Sequence, residues 1–289
     1  MASLLSRLAP LVITLRGSKR MFSSATRTLE RVARLQRKPA SFEPPASLSA
    51  SRRDVEGWPV YEVGSGERHV VYLHGGCYVF EIDPVHWTLI GKLAAEAGVR
   101  VTVPIMPLAP AGTASVVVAR VAAIVASLVA TAGASNVSIV GDSSGGGMAL
   151  AVAMALRDLE VPPLRATVLI SPWLDVSGSD PRLAEIAPRD PWLAVPGTHA
   201  AGALYRAELG EGDWRVSPIH GSLERLGPIT MFSGTRDILN ADAHRFLPLA
   251  ADAGLAVDFH EGEEMIHNYP ILPMPEGDAA RAVIVAAVR

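Results

Sequence analysis

The stretch VSIVGDSSGGGMALAVAMAL, residues 137–156, decides the fold of this chain. It passes from a short β-branched strand pattern, through a glycine-rich turn, into a run of small apolar residues that is typical of a buried helix. The turn contains GDSSG, the single match to G-x-S-x-G in the chain, with Ser143 at its centre. A strand that reverses sharply into a helix holds this central residue in a strained conformation at the sheet edge. The stretch therefore predicts an α/β sheet that presents a nucleophilic serine.

Two simpler interpretations of the turn are an ordinary glycine-rich loop and a phosphate cradle at a helix N-terminus. The sequence disfavours the cradle because the Gly-Lys-Ser/Thr ending of a P-loop is missing. A motif centred on Ser144 would need glycine in place of Asp142, so the spacing favours Ser143. A serine hydroxyl is a poor nucleophile at neutral pH, so this hypothesis requires a histidine to take its proton and an acid to orient that histidine.

Strand and helix patterns alternate along most of the chain. Seven short apolar runs predict strands: WPVYEV, HVVYLH, VRVTVP, VSIV, ATVLIS, PITMFS and AVDFHE. Longer patterns predict helices over about residues 85–97, 114–131, 146–158, 241–253 and 278–288. The first two strands, separated only by GSGER, predict an antiparallel hairpin. The later alternation predicts a mostly parallel sheet with helices on both faces.

This pattern divides the chain into four segments. N-terminal helices and a proline-rich linker occupy residues 1–50, and the core occupies residues 51–175 and 227–289. Residues 176–226 interrupt the core with two short helical patterns where a single crossover would suffice. An insertion of this length is typical of a lid over a functional site.

The N-terminal segment is basic and amphipathic. Its first 38 residues carry nine Lys or Arg against one acid, Glu30. Mitochondrial transit peptides share this composition, but no small-residue cleavage site follows an apolar core, which favours helices of the fold. Apolar residues within 4–15 form one helical stripe, with a kink expected at Pro10, and a second helix is predicted from Ser24 to before Pro39. Three apolar residues of the second helix are expected to be buried: Leu29, Val32 and Ala33.

Composition argues against several classes of partner. A net charge of −3 offers no basic stripe for a nucleic-acid backbone, and no cysteine spacing suggests a zinc site. The single cysteine, Cys77, cannot form an internal disulfide, so a cytoplasmic location is expected. No apolar run approaches the roughly 18 residues of a membrane span, so stable membrane insertion is not expected. No motif calls for a cofactor or a metal, and a homodimer stays open as an assembly.

The acid and the base are sought after the later strands, because serine, acid and histidine follow in that order in hydrolases of this architecture. Asp237 follows the strand PITMFS at the sheet edge, and His267 lies in the loop after the last strand. His260 is closer to its strand, while His244 and the rival acid Asp242 fall within a predicted helix. Asp237 and His267 are therefore the predicted partners of the serine.

A second loop, HGGCY, directly follows the strand HVVYL. Attack on a carbonyl places negative charge on its oxygen, and backbone N–H groups must point at that charge. Gly75, Gly76 and Cys77 are candidate donors, together with the amide of Ser144. A simple turn between strand and helix also favours glycine, so this interpretation depends on the other motifs. Cys77 is not expected to be a nucleophile, because nothing places a base beside it.

Five motifs in order, HGGCY, GDSSGG, SPWLD, GTRDIL and MIHNYP, resemble the hormone-sensitive-lipase-like branch of the α/β-hydrolases. The resemblance implies the α/β-hydrolase fold, with a helical cap made from the N-terminal helices and the segment after SPWLD. It also implies ester hydrolysis through an acyl-enzyme, with Ser143 as nucleophile, His267 as general base and then acid, and Asp237 orienting it. The chain departs from the family pattern at Cys77, where the family has a third glycine, and at PIMPLAPAGTASVVVAR, which leaves the pocket shape open.

The leading hypothesis is a carboxylesterase that acts on small to medium acyl esters. The same chemistry serves lactone, amide and acetyl-group hydrolases, which stay as alternatives. A ligand-binding receptor on this fold would lack the histidine, whereas His267 is present. An interfacial lipase is disfavoured, since the sequence shows no evident exposed apolar lid. Five aromatic residues are candidates for the pocket wall: Tyr78, Trp173, Trp192, Tyr205 and Trp214.

Overall fold

A computed structural model of the chain describes residues 3–38 and 42–289, and the second N-terminal helix ends at Gln36, before Pro39 as predicted. One sheet contains the strands β1 (Ala50–Val55), β2 (Trp58–Val63), β3 (His69–Leu73), β4 (Arg100–Pro104), β5 (Val137–Asp142), β6 (Ala166–Ile170), β7 (Ile229–Gly234) and β8 (Val257–Gly262). Their spatial order is β1-β2-β4-β3-β5-β6-β7-β8. The pairs from β4 to β8 are parallel, so the prediction of a mostly parallel sheet is confirmed.

Helices cover both faces of this sheet. They are α1 (Leu4–Leu15), α2 (Ser18–Phe22), α3 (Ala25–Gln36), α4 (Pro84–Ala97), α5 (Ala114–Ala132), α6 (Ser144–Asp158), α7 (Leu183–Ile186), α8 (Val195–Arg206), α9 (Asn240–Asp252) and α10 (Pro275–Val288). Alternate residues of β3 point to opposite faces: Val71 and Leu73 join the core under α5, α6 and α9, and Val70 and Tyr72 join the core under α4 and α10. Burial on both faces explains why these strands are continuous apolar runs.

The predicted hairpin of β2 and β3 is wrong. β4 lies between these two strands, and β2 pairs antiparallel with β4 and with β1. The real hairpin is β1–β2, closed by Glu56 and Gly57, which both have positive φ as a tight hairpin turn requires. β1 lies within the predicted linker and first core residues. Its largely exposed, charged residues carry no apolar alternation, which is why the pattern missed it.

α1 continues through Pro10, so the helix does not restart at this residue, and its apolar stripe faces outward. The side toward the protein consists of Ser6, Pro10 and Ile13. Hydrogen bonds of Ser3 and Ser6 to Glu276 of α10 fix the helix in this orientation. An exposed apolar helix face is therefore present, contrary to the sequence expectation.

α3 begins after the predicted cap Ser24, whose side chain accepts a hydrogen bond from the Arg27 amide. Of the three residues expected to be buried, Val32 is buried, whereas Leu29 and Ala33 are exposed. α3 instead buries Thr28 against the inserted helix α8. A Cβ atom at Gly197 of α8 would collide with α2 and Thr28, so glycine permits the close packing of N-terminal and inserted helices over the sheet.

α5 is, within the described ranges, the one helix long and apolar enough to cross a membrane by length and composition. The sequence expectation that no apolar run approaches that length is therefore wrong for this helix. Its buried side, which includes Val117, Val121 and Val125, packs in the core cluster with β3 and α6.

Candidate active site

The glycine-rich turn places Ser143 between the end of β5 and the start of α6. Its backbone has φ 54° and ψ −121°, a strained conformation for a residue with a side chain. Cβ atoms at Gly141 or Gly145 would collide with the backbone of the opposite part of the turn or of β3. Both glycines are therefore needed for the tight passage from strand to helix, as the motif predicts.

The structure brings together the three side chains that the sequence selected. His267 Nε2 lies 3.0 Å from Ser143 Oγ, and His267 Nδ1 lies 2.8 Å from Asp237 Oδ2. All three residues are buried. The loops that hold them follow β5, β7 and β8, and the carboxyl ends of parallel strands meet at one edge of the sheet.

The rival residues lie in other contacts. Asp242 binds Arg245, His244 binds Glu261, and His260 binds Asp258. None of these pairs reaches Ser143.

A second carboxylate, Asp190 of the insertion, binds the loop that carries Asp237. It accepts hydrogen bonds from the amides of Trp192, Leu193 and Ile238, and thereby joins the insertion to the residue after Asp237. Burial and the neighbouring charge of Asp237 raise the pKa of Asp190 to about 6. No sequence signal points to this residue, because an aspartate in a loop is usually an ordinary turn former.

Burial of His267 acts to lower its pKa, because desolvation disfavours the imidazolium. The charge and hydrogen bond of Asp237 raise the pKa, and the charges of Asp190 and Asp142 raise it further. The net result is a pKa above the ordinary histidine value of 6.5. The arrangement therefore favours proton uptake by this imidazole.

The HGGCY loop lies beside Ser143, but the prediction that the Gly75 amide binds a substrate oxygen is wrong. The Gly75 amide donates to Asp142 Oδ1 at 3.0 Å, so it is not free to bind a substrate oxygen. The amides of Gly76, Cys77 and Ser144 donate to no acceptor in the described part of the chain. These three amides therefore remain as candidate donors for a developing oxyanion.

Cys77 adopts φ 53°, so it occupies the left-handed region despite its side chain. Burial raises the pKa of its thiol to about 12. A thiol that stays protonated at neutral pH is a poor nucleophile, which agrees with the expectation for this residue.

Sequence reasoning missed the central role of Asp142, which stood in the motif as an unspecified residue. The buried Asp142 carboxylate accepts hydrogen bonds from Tyr72, Gly75 and Asn268 and contacts His86 Nε2 at 3.3 Å. It therefore connects β3, the HGGCY loop, α4 and the loop that carries His267.

The contact between Asp142 and His86 favours the charged form of each side chain. Burial alone would raise the pKa of Asp142, but the charge of His86 and the surrounding hydrogen bonds outweigh it and lower that pKa to about 2. Burial acts to lower the pKa of His86, and the charges of Asp142 and Asp83 raise it to about 10. The carboxylate thus holds two loops of the site around a fixed charge.

We expect Asp142→Asn to lower the free energy of unfolding by about 3 kcal/mol, because the change removes the buried carboxylate beside His86 and leaves only the exposed Asp83 carboxylate to balance its charge. Urea unfolding at pH 7 measures this loss. Asp252→Asn, at an exposed carboxylate on α9, is the matched control and should stay close to wild type. An Asp142→Asn midpoint equal to that of the control would contradict the assigned pair.

A cavity of about 1140 Å³ opens onto Ser143 and His267. Of the five candidate aromatic residues, Trp192 lines it, with its ring edge-on to His267 at 5.6 Å between centroids. Tyr78, Trp173 and Tyr205 instead stack on one another in the core. Trp214 packs partly buried against the same core. Within residues 3–38 and 42–289, no cluster of three metal-ligating side chains is found.

The chain is similar to known proteins over most of its length. A family model described as the alpha/beta hydrolase fold matches residues 70–271. The chain belongs to this family. The family match and the relatives described below place it in the hormone-sensitive-lipase-like branch, among hydrolases of the esterase class.

Curated relatives carry related names. The chain is 34% identical over 205 residues to a triacylglycerol lipase of Mycobacterium tuberculosis, an alignment that covers 71% of this chain and 42% of that protein. It is 31% identical to an acetyl-hydrolase of Streptomyces hygroscopicus over 76% of this chain and 74% of the relative. The chain thus spans less than half the length of the first relative and about three quarters of the second.

Solved structures agree with the fold assignment. A crystal structure of an esterase from the bacterial hormone-sensitive lipase family matches with a TM-score of 0.84 at 26% identity, covering 100% of this chain and 99% of that one. The prediction of an α/β-hydrolase fold is confirmed.

Proposed function

We propose that this α/β-hydrolase cleaves carboxylic esters of small molecules through an acyl-enzyme formed on Ser143. The observation that carries the proposal is the chain of contacts from Asp237 through His267 to Ser143, 2.8 and 3.0 Å long, at the base of an open cavity. A nucleophile, a base and an orienting acid within hydrogen-bond reach are the arrangement that acyl transfer requires.

The reaction proceeds in two halves. His267 Nε2 takes the proton from Ser143 Oγ as this oxygen forms a bond to the ester carbonyl carbon, and the imidazolium then protonates the leaving alcohol. The oxygen of a water molecule then bonds to the acyl carbon as His267 takes a proton from that water. The bond between Ser143 Oγ and the acyl carbon breaks, the imidazolium returns the proton to Oγ, and the carboxylic acid leaves. Asp237 Oδ2 keeps the Nδ1 proton of the imidazole in place throughout.

The backbone amides of Gly76, Cys77 and Ser144 stabilise the negative charge on the carbonyl oxygen by donating hydrogen bonds to it. Asp142 acts as a positioning residue, because its contact to the Gly75 amide fixes the loop that carries the first two donors. Donors that are already aligned cost no reorganisation when the charge develops. No step needs a cofactor or a metal, and the single buried thiol suits a reducing compartment such as the cytoplasm.

The name of the Streptomyces relative supports a second candidate, removal of acetyl groups. A panel of p-nitrophenyl esters from acetate to laurate separates the two. A maximum at acetate that falls steeply with each added carbon favours the acetyl-hydrolase, and turnover that extends to intermediate chains favours the broader esterase. Binding of esters without turnover of any of them would instead support a receptor on this fold.

Activity should depend on the protonation of His267, since only the neutral imidazole accepts the serine proton. Its pKa is raised by Asp237, so kcat/KM should increase with pH and reach half its maximum above pH 6.5. Initial rates with p-nitrophenyl acetate, corrected for spontaneous hydrolysis, measure this curve. A midpoint below the ordinary histidine value would contradict the ion-pair geometry.

A further inference from the structure

The outward face of α1 is a continuous apolar surface. Six side chains of this helix are between 45% and 78% exposed: Leu4, Leu5, Leu8, Leu11, Val12 and Leu15. At 3.6 residues per turn they occupy an arc of about 120°. They make up six of the ten large hydrophobic residues exposed in the described chain, so they form a patch and not scattered single residues. A contiguous apolar patch of this kind marks an interaction surface.

Positive charge borders this patch. Arg7 and Arg16 flank the two edges of the apolar arc, as the helical spacing requires. Arg27, Arg31 and Arg34 lie along one face of α3 and line the same cavity as Arg16 at the end of α1. All five are exposed, and none forms an ion pair with a described residue. Exposed apolar side chains and arginines without an ion-pair partner among residues 3–38 and 42–289 therefore occur together in the N-terminal helices.

Four of these arginines line the catalytic cavity. The exposed Arg16, Arg27, Arg31 and Arg34 share this lining with the buried Ser143, so they lie on its solvent side. A surface that docked on α1 and α3 would therefore lie next to the entrance through which an ester reaches the serine.

We propose that the α1 face and the arginines of α1 and α3 form a docking surface for an anionic lipid membrane. The protein would lie on the membrane with its cavity entrance beside the lipid. Basic residues around leucines match the apolar interior and anionic headgroups of such a surface. A second copy of this chain fits less well, because it would bring two clusters of unpaired arginines together.

The contact is peripheral. α1 is 12 residues long, against about 20 for a helix that spans a bilayer. Ser3 and Ser6 hold it against Glu276 of α10, so the helix can enter the headgroup layer without leaving the protein body. That such docking would deliver ester substrates rests on the proposed function, whereas the binding itself does not.

Flotation with phospholipid vesicles tests the proposal in the full chain carrying Ser143→Ala, which prevents lipid hydrolysis. We expect binding to phosphatidylcholine vesicles that contain phosphatidylglycerol, little binding to phosphatidylcholine alone, and weaker binding at high salt. Adding Arg27→Gln, Arg31→Gln and Arg34→Gln should weaken binding on the order of 100-fold.

Leu8→Ser, Leu11→Ser and Leu15→Ser together should abolish vesicle binding. The matched control is Leu159→Ser with Leu249→Ser, two exposed leucines outside α1, which should bind like the parent. Thermal unfolding checks that both variants are folded. Equal vesicle binding by the triple variant and its control overturns the proposal. A wild-type dimer in sedimentation velocity that the triple variant turns into a monomer, without vesicle binding in either protein, assigns the face to a second copy and also overturns it.

Hydrolysis of p-nitrophenyl acetate by the chain with Ser143 intact reports the proposed function separately. Vesicle binding by a protein that hydrolyses no ester leaves the docking surface standing and overturns the esterase. Ester hydrolysis without vesicle binding supports the esterase and overturns the docking surface.

Discussion

Ser143→Ala is expected to lower kcat/KM for p-nitrophenyl esters by about 10⁶, because the change removes the atom that bonds to the substrate carbon. Its effect on folding should be small. The substitution removes the contact between Ser143 Oγ and His267 Nε2. Alanine adds no atoms to the turn, and it adopts the same strained backbone conformation as serine. Steady-state hydrolysis at neutral pH measures the loss, and circular dichroism checks the fold.

A fluorophosphonate probe provides a direct control for this variant. The probe should label wild-type protein at one site and leave Ser143→Ala unlabelled. The matched comparison is Ser144→Ala, which keeps its backbone amide and loses the hydroxyl that accepts from the Tyr78 amide. Labelling of the Ser144→Ala variant should persist. Equal ester turnover by wild type and Ser143→Ala would reject the nucleophile assignment.

Asp237→Asn is expected to lower kcat/KM by about 10⁴ with the fold intact. The amide is close to the carboxylate in size but cannot stabilise the imidazolium, and its NH₂ group favours the wrong tautomer of His267. The contact that changes is the 2.8 Å distance between Asp237 Oδ2 and His267 Nδ1. Rates with p-nitrophenyl acetate over a range of pH measure the loss and should also show a lower midpoint.

Asp242→Asn is the matched control for this variant. Asp242 is also buried, but it lies in the cluster with Asp175 and Arg245. Burial and the charge of Asp175 raise its pKa to about 7, so asparagine resembles a form that is already populated at neutral pH. Activity should remain within a few-fold of wild type. A larger loss in Asp242→Asn than in Asp237→Asn would exchange the roles of the two acids.

The mostly parallel sheet and the grouping of Ser143, Asp237 and His267 could be predicted from sequence for one reason. Residues that follow parallel strands collect at the same sheet edge, so the order of motifs along the chain carries their proximity in space. The pairing of strands could not be predicted from the sequence in the same way. β2 and β3 are neighbours in sequence, yet β4 separates them in the sheet, because partner choice depends on packing across the whole sheet.

The supporting residues of the site were hidden for a related reason. His86 and Asp142 are far apart in sequence, and Asp190 belongs to the insertion, so no spacing rule links them to the catalytic motifs. Their chemistry appears only when burial removes water and makes each charge depend on its neighbours.

The sequence by itself determined the fold class, the turn that carries Ser143 and the order of the three candidate catalytic residues, since these depend on local backbone chemistry and chain order. Only the tertiary structure decided which donors remain free in the HGGCY loop, which acid faces His267, and which way α1 points. An amphipathic pattern specifies that one helix side is apolar, but the hydrogen bonds of Ser3 and Ser6 to Glu276 decide which side meets the protein.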